Sequence, residues 1–231
     1  MFFFSSGYLI FMLPAFFLMM LAQWYVTSSY NKWSRVPSRS GLSGTQVAQK
    51  LIERGGLDVS VEQVGGRLSD HYDPRSKQLS LSAGVAQSTS IAAAAIAAHE
   101  LGHAMQDRED YAPLRLRATL VPAVNIGSYL GWILLMIGFV LRMTELAWLG
   151  VLVFAGGAVF ALATLPVELN ASARAKQLLA TTGIITSQEE QSGVNTVLNA
   201  AAFTYVAALF TAILQLLYYA SLVMGMGGRR R

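Results

Sequence analysis

Residues Ile96–Met105 read IAAHELGHAM, and the rest of the chain is organised around this stretch. It contains the pattern H-E-x-x-H, so two of the three histidines of the chain, His99 and His103, stand one helical turn apart. On a helix their imidazoles project from the same face and can share a tetrahedral metal ion. Glu100 lies on the flank of that face, where it can reach a water molecule on the metal. The stretch therefore predicts a zinc site with its own general base.

The residue types of this site point to peptide hydrolysis. Zinc lowers the pKa of a bound water toward about 7, so a carboxylate is a strong enough base to take its proton. Glu100 can then pass that proton to the leaving amine. The chain has no cysteine, which excludes a disulfide framework, a cysteine nucleophile and a thiolate metal site. These observations predict a zinc-dependent peptidase with Zn²⁺ held by His99 and His103.

The composition is that of a membrane protein. Apolar residues make up 54% of the chain, charged residues 13%, and the mean hydropathy is +0.45. Four apolar runs, at about residues 2–26, 118–141, 146–165 and 197–224, are long enough to cross a hydrocarbon core of roughly 30 Å. The first run lacks a positive n-region and a cleavage site, which favours an uncleaved anchor. No basic stripe with interleaved aromatic residues occurs, so we expect no nucleic-acid partner.

These patterns predict a mainly α membrane protein with four transmembrane helices and a small α+β domain that carries a short sheet. The expected parts are a first transmembrane helix over 1–26, a polar zinc-peptidase region over 27–117, a transmembrane hairpin over 118–165, a membrane-exit helix and loop over 166–196, and a fourth transmembrane helix with a basic tail over 197–231.

Local patterns add shorter elements to the polar regions. Apolar spacing predicts a helix over Thr45–Arg54, and alternation predicts strands at Val59–Val64 and Lys77–Ser82, with a turn at Ser69–Pro74 between them. A helix from Ile91 to about Gln106 begins after the N-cap candidates Ser88–Ser90. Pro166 is expected to stop or kink the third span, and a helix from Val167 to Ala180 is expected to end at Gly183. Glu189 and Glu190 are expected in a polar loop.

The distribution of basic residues predicts the orientation in the membrane. With four spans, residues 27–117 and 166–196 lie on one side, and the turn Arg142–Glu145 and both termini lie on the other. Lysine and arginine cluster near the span ends on the polar side. Because basic loops stay inside, we expect the polar domain to face the cytoplasm. Arg229–Arg231 at the C-terminus argue for the opposite orientation.

A catalytic zinc site needs a third protein ligand, and the residues leave two candidates open. His71 precedes the motif in a turn-rich stretch, where a structural or substrate-side role is favoured. Glu168 follows Pro166 on the predicted membrane-exit helix, on the same side of the membrane as the H-E-x-x-H stretch. An acid in the first turn after a proline is also what the helix dipole favours. Position alone therefore does not separate a ligand from a helix-stabilising charge.

Three segments together resemble the YugP-type family of small bacterial membrane zinc peptidases. They are Asp70–Pro74 (DHYDP), His99–His103 (HELGH) and Pro166–Ala175 (PVELNASARA). More distantly, the chain is similar to the HtpX-like heat-shock proteases and the CAAX prenyl proteases. The resemblance covers nearly the whole chain and implies that Glu168 is the third zinc ligand of a gluzincin-type site. Ser172 stands where the distant relatives carry aspartate, which implies a weaker, uncharged hydrogen bond to a ligating histidine.

The resemblance also implies a bacterial inner-membrane location and a peptide or membrane-protein substrate. In the distant relatives an edge strand such as Lys77–Ser82 pairs with an extended substrate backbone. An ordinary sheet edge fits the same residues equally well. The candidates for polarising the scissile carbonyl are His71, Tyr72 and Arg174. The oligomeric state is left open.

Two other functions fit parts of the sequence. A zinc-stabilised membrane scaffold or adaptor would keep the histidine pair, but structural zinc needs no base such as Glu100. An intramembrane-cleaving metalloprotease would hold its metal within the bilayer. The short alanine run before His99, and the lack of an Asn-Pro-Asp-Gly-like motif in a later span, disfavour that alternative. The sequence thus favours an endopeptidase at the membrane surface.

Overall fold

The computed structural model describes residues 6–66 and 69–227, and the chain is mainly helical there. The predicted start of the first span, residues 1–5, lies outside the described residues. So do Arg229–Arg231, which argue for the opposite orientation in the membrane. In chain order the elements are α1 (Ser6–Trp33), α2 (Gly44–Gly55), β1 (Ser60–Val64), β2 (His71–Asp73), β3 (Gln78–Ser82), α3 (Ala83–Ala86), α4 (Ile91–Arg108), α5 (Ala112–Val140), α6 (Thr144–Phe154), α7 (Gly156–Thr181) and α8 (Gln188–Gly227).

Within the described ranges, four helical segments are long and apolar enough to cross a membrane. They are Gly7–Trp33, Ala112–Val140, Thr144–Thr181 and Gln188–Met226. With the small three-stranded sheet, these segments confirm the predicted class, a mainly helical membrane protein with a short sheet.

The chain divides into two compact units, which are described separately. The first unit contains residues 1–22, 115–165 and 204–231, and the second contains residues 23–114 and 166–203.

In the first unit, α5 and α6 form a hairpin that packs through glycines. A Cβ added at Gly138 would lie 2.6 Å from the backbone nitrogen of Ala147, and one added at Gly150 would lie 2.6 Å from that of Leu135. Small residues at these positions let the two backbones approach closely, as is common between helices in a membrane.

The second unit contains a sheet of order β1-β3-β2, in which β3 is parallel to β1 and antiparallel to β2. The strands predicted at Val59–Val64 and Lys77–Ser82 are confirmed as β1 and β3. The expectation that Lys77–Ser82 is an edge strand is wrong, because β3 is central and nearly all of its residues are buried. The turn expected at Ser69–Pro74 is also wrong in part, since it contains β2. Polar–apolar alternation cannot be recognised in a strand of only three residues.

Helix α4 forms the centre of the second unit. Ser90 caps its N-terminus, where its hydroxyl accepts a hydrogen bond from the backbone N–H of Ala93 at 3.2 Å, as predicted. Alanine fills most positions from Ile91 to Ala98, and all but one residue of this segment are buried. Side chains this small let α4 pack closely against α2 and the sheet.

The expectations about the later helices need two corrections. Pro166 does not stop the helix, because it lies inside α7, and the preceding helix ends at Phe154. The alternative, a kink at Pro166, stays a prediction. Apolar helices in membranes tolerate an internal proline because neighbouring groups satisfy the freed backbone atoms. Glu190 lies in the first turn of α8 rather than in a loop. Its buried carboxylate accepts hydrogen bonds from the backbone N–H groups of Ser187 at 3.1 Å and Arg39 at 2.8 Å.

Candidate metal centre

Helices α4 and α7 bring together two histidines and one carboxylate. The Nε2 atoms of His99 and His103 lie 3.3 Å and 3.5 Å from Glu168 Oε2. The two imidazole rings are nearly perpendicular, with their centroids 4.9 Å apart. Glu168 is only 2% exposed, and the ligand atoms of all three residues lie within 4.8 Å of one another. The arrangement can hold a metal ion.

The close approach of α4 and α7 depends on Gly102, inside the H-E-x-x-H pattern. A Cβ added at Gly102 would lie 2.5 Å from the carbonyl oxygen of Ala171 on α7. No side chain other than hydrogen fits there, so the backbone of α7 rests directly on α4. Glu168 precedes Ala171 by about one helical turn. Gly102 therefore places the carboxylate against the histidine pair.

The Nδ1 atom of each histidine has its own hydrogen-bond partner. His99 Nδ1 lies 3.2 Å from Ser172 Oγ, and His103 Nδ1 lies 3.0 Å from Gln106 Oε1. Ser172 thus occupies the position beside a histidine that the resemblance implied. The role of Gln106 was not predicted from the sequence, although a glutamine one turn after His103 on a largely apolar helix was the available signal. With both Nδ1 atoms engaged, both Nε2 atoms are directed at Glu168.

Glu100 is held by the sheet. Its Oε2 accepts a hydrogen bond from the backbone N–H of Tyr72 on β2 at 3.2 Å. The hydroxyl of Tyr72 in turn donates to Asp107 Oδ2 at 2.9 Å, so that β2 is attached to α4 at two points. Burial raises the pKa of the Glu100 carboxyl, and the charges of His99 and His103 oppose this rise. A carboxylate with a raised pKa is a better base.

The remaining candidate residues lie around the centre rather than in it. His71 is exposed on β2, its Nδ1 lies 2.8 Å from the Ser69 carbonyl oxygen, and it is not part of the metal-binding group. Arg174 donates to Asn170 Oδ1 at 2.7 Å and pairs with Glu109 at 2.7 Å. Both it and the hydroxyl of Tyr72 are therefore engaged with other side chains.

The chemistry of the donor set fits zinc. Two imidazole nitrogens and one carboxylate oxygen form a known ligand set of catalytic zinc sites, which keep a fourth position open. Each histidine has a hydrogen-bond partner at Nδ1, as ligating histidines almost always have. These partners are a hydroxyl and an amide, both uncharged.

Comparison with known proteins also points to zinc. The family model described as "Putative neutral zinc metallopeptidase" matches residues 8–224. The chain belongs to this family. It is 44% identical over 199 residues to the "Putative membrane protease YugP" of Bacillus subtilis (strain 168), an alignment that covers 86% of this chain and 88% of that protein. The predicted membership of the YugP-type family is thereby confirmed. No solved structure matches the chain significantly.

Proposed function

We propose that this family member is a zinc-dependent membrane endopeptidase in which His99, His103 and Glu168 hold the zinc ion. Glu100 is the general base. The observation that carries the proposal is the convergence of both Nε2 atoms on Glu168, with a second, separately anchored carboxylate beside them. A structural zinc site would not need that second carboxylate.

The chain's own residues supply the proton transfers of peptide hydrolysis. When bound, zinc supplies Lewis-acid chemistry that makes a water molecule acidic enough to be deprotonated near neutral pH. Glu100 takes the proton from the water whose oxygen attacks the scissile carbonyl, and delivers it to the leaving nitrogen as the C–N bond breaks. The backbone N–H of Tyr72 occupies Glu100 Oε2 and leaves Oε1 for this transfer.

The substrate that we propose is a peptide or a segment of a membrane protein. Because β3 is central, β2 is the edge strand that lies beside Glu100. An extended substrate backbone next to β2 would bring its scissile bond close to this carboxylate.

The decisive experiment compares Glu100→Gln with the wild-type chain in detergent, measuring zinc content and casein cleavage on the same samples. We expect Glu100→Gln to keep its zinc and lose cleavage by about a hundredfold or more. The exposed Glu53→Gln is the matched control and should change neither. Glu168→Ala should lose zinc, because two histidines alone bind it weakly.

Each other outcome of this experiment has a definite meaning. Unchanged cleavage by Glu100→Gln would refute Glu100 as the base. Full zinc occupancy after Glu168→Ala would place the third ligand elsewhere. A zinc-loaded wild-type chain that cleaves nothing would favour the zinc-stabilised scaffold.

We further propose that the chain is a multi-pass protein of the bacterial inner membrane whose metal centre faces the cytoplasm. Since the chain has no cysteine, one introduced cysteine is a unique label. Ser76→Cys lies at an exposed position between β2 and β3, and Met143→Cys lies in the α5–α6 turn. A membrane-impermeant thiol reagent added to intact cells should label Met143→Cys and not Ser76→Cys. The reverse pattern would overturn this orientation.

A further inference from the structure

Gln106 is a fully buried polar side chain that the proposed reaction does not use. It lies on α4, one turn after His103, and is 0% exposed. Burying an amide costs free energy unless its donors and acceptor find partners. The three partners that Gln106 finds define a single orientation of its side chain.

Two acceptors on α7 fix the direction of the Gln106 amide. Its Nε2 donates to the carbonyl oxygen of Val167 at 2.8 Å and to Asn170 Oδ1 at 2.9 Å. A backbone carbonyl can only accept, so the nitrogen of Gln106 must face α7. Asn170 is fixed in the same way, because its Oδ1 also accepts from Arg174 Nε, which can only donate.

The orientation of Gln106 determines which nitrogen of His103 carries the proton. With Nε2 of Gln106 turned to α7, its Oε1 faces His103 Nδ1 at 3.0 Å and can only accept. His103 must therefore carry a proton on Nδ1. In the neutral ring, Nε2 then has a free lone pair, and this is the nitrogen that faces Glu168.

The hydrogen-bond network continues to Glu109, the residue that follows the C-terminus of α4. Arg174, which orients Asn170, is itself held by Glu109 Oε2 at 2.7 Å. Asn170 and Gln106 thus connect the partly exposed Glu109–Arg174 ion pair to the imidazole of His103.

We infer that Gln106 is a positioning residue that selects the metal-binding tautomer of His103, supported from α7 by Asn170, and so sets the zinc affinity of the centre. This inference rests on the proposed function, since it assumes that zinc is the ligand. Partners of ligating histidines typically contribute tenfold to a hundredfold in metal affinity. Gln106 is such a partner.

The test measures the zinc affinity of the full chain in detergent by competition with a fluorescent chelator. Gln106→Met has a similar length and volume but no acceptor for His103, and should weaken zinc binding about tenfold to a hundredfold. Gln177→Met, an exposed glutamine on α7, is the matched control and should bind zinc as the wild type does. Thermal unfolding of the metal-free proteins shows whether each variant is folded.

A second pair of variants decides the matter if Gln106→Met does not fold. Asn170→Asp keeps an acceptor for Gln106 and Arg174, and should retain zinc affinity within about threefold, whereas Asn170→Leu should lower it further. If the wild type and Gln106→Met bind zinc equally tightly, or if the two Asn170 variants do, this inference is overturned while the proposed function is not. A folded wild-type chain that bound no zinc would overturn the proposed function and this inference together.

Discussion

Replacing Gly102 by alanine should separate α7 from α4 and weaken the candidate metal centre. The added Cβ would lie 2.5 Å from the carbonyl oxygen of Ala171, 3.0 Å from its carbonyl carbon and 3.1 Å from its Cα. Ordinary contact begins at 3.4 Å, so one helix must move by about 0.9 Å at this point. All three contacted atoms belong to the backbone, so no side-chain rotation can relieve the clash.

This displacement exceeds what a zinc site tolerates. Ligand distances in zinc sites are held within about 0.2 Å, and Glu168 is only one turn from the point of contact. Overpacking of this kind costs about 1–3 kcal/mol. If that free energy comes from metal binding, the zinc affinity of Gly102→Ala falls about fivefold to 150-fold.

Chelator competition with the wild type and the variant measures the effect. Gly157→Ala is the matched control. It is also a glycine-to-alanine change within a helix, in this case α7, and a Cβ at this position meets no atom within 4 Å. Both variants gain the helix propensity of alanine, so this contribution cancels in the comparison. If Gly102→Ala binds zinc as tightly as Gly157→Ala, the close contact between Gly102 and Ala171 does not set the zinc affinity.

Three further predictions concern Tyr72, Glu190 and the protonation of His103. Tyr72→Phe frees β2 from Asp107 and should lower kcat about tenfold at unchanged zinc content; an unchanged kcat would show that this contact does not position Glu100. Glu190→Gln removes one of the two carboxylate oxygens that accept hydrogen bonds from the backbone N–H groups of Arg39 and Ser187. The free energy of unfolding should fall by about 1–3 kcal/mol, which a lower Tm in detergent would show; an equal Tm would contradict this. Burial lowers the pKa of His103, but hydrogen bonding and charge from the neighbouring carboxylates raise it more, so the net shift is upward. Protons should therefore compete with zinc for His103 at a higher pH than they do for an ordinary histidine. As the pH is lowered, the zinc affinity should fall about tenfold per pH unit for each proton that zinc must displace. A zinc affinity that stays constant between pH 8 and pH 6 would contradict this prediction.

Features that depend only on residues close together in the chain could be predicted from the sequence. His99, Glu100 and His103 share one side of a helix because helical periodicity is local, and no tertiary contact is needed to predict it. Hydropathy located the four apolar segments, because crossing a membrane depends on the length and composition of a single run. The N-cap at Ser90 and the left-handed Gly183 after α7 were readable for the same reason.

Contacts between residues far apart in the chain could not be predicted, because they depend on how the helices and strands pack. Glu168 is 69 positions from His99, and their contact depends on a helix crossing that Gly102 and Ala171 permit. Gln106 was locally visible, yet its role depends on acceptors 61 and 64 residues away on α7. The central place of β3 was likewise hidden, because pairing on both edges is a property of the whole sheet. Spacing along one helix places His99, Glu100 and His103 together, while the approach of Glu168 and the hydrogen-bond partners of the two histidines depend on how α7 packs against α4.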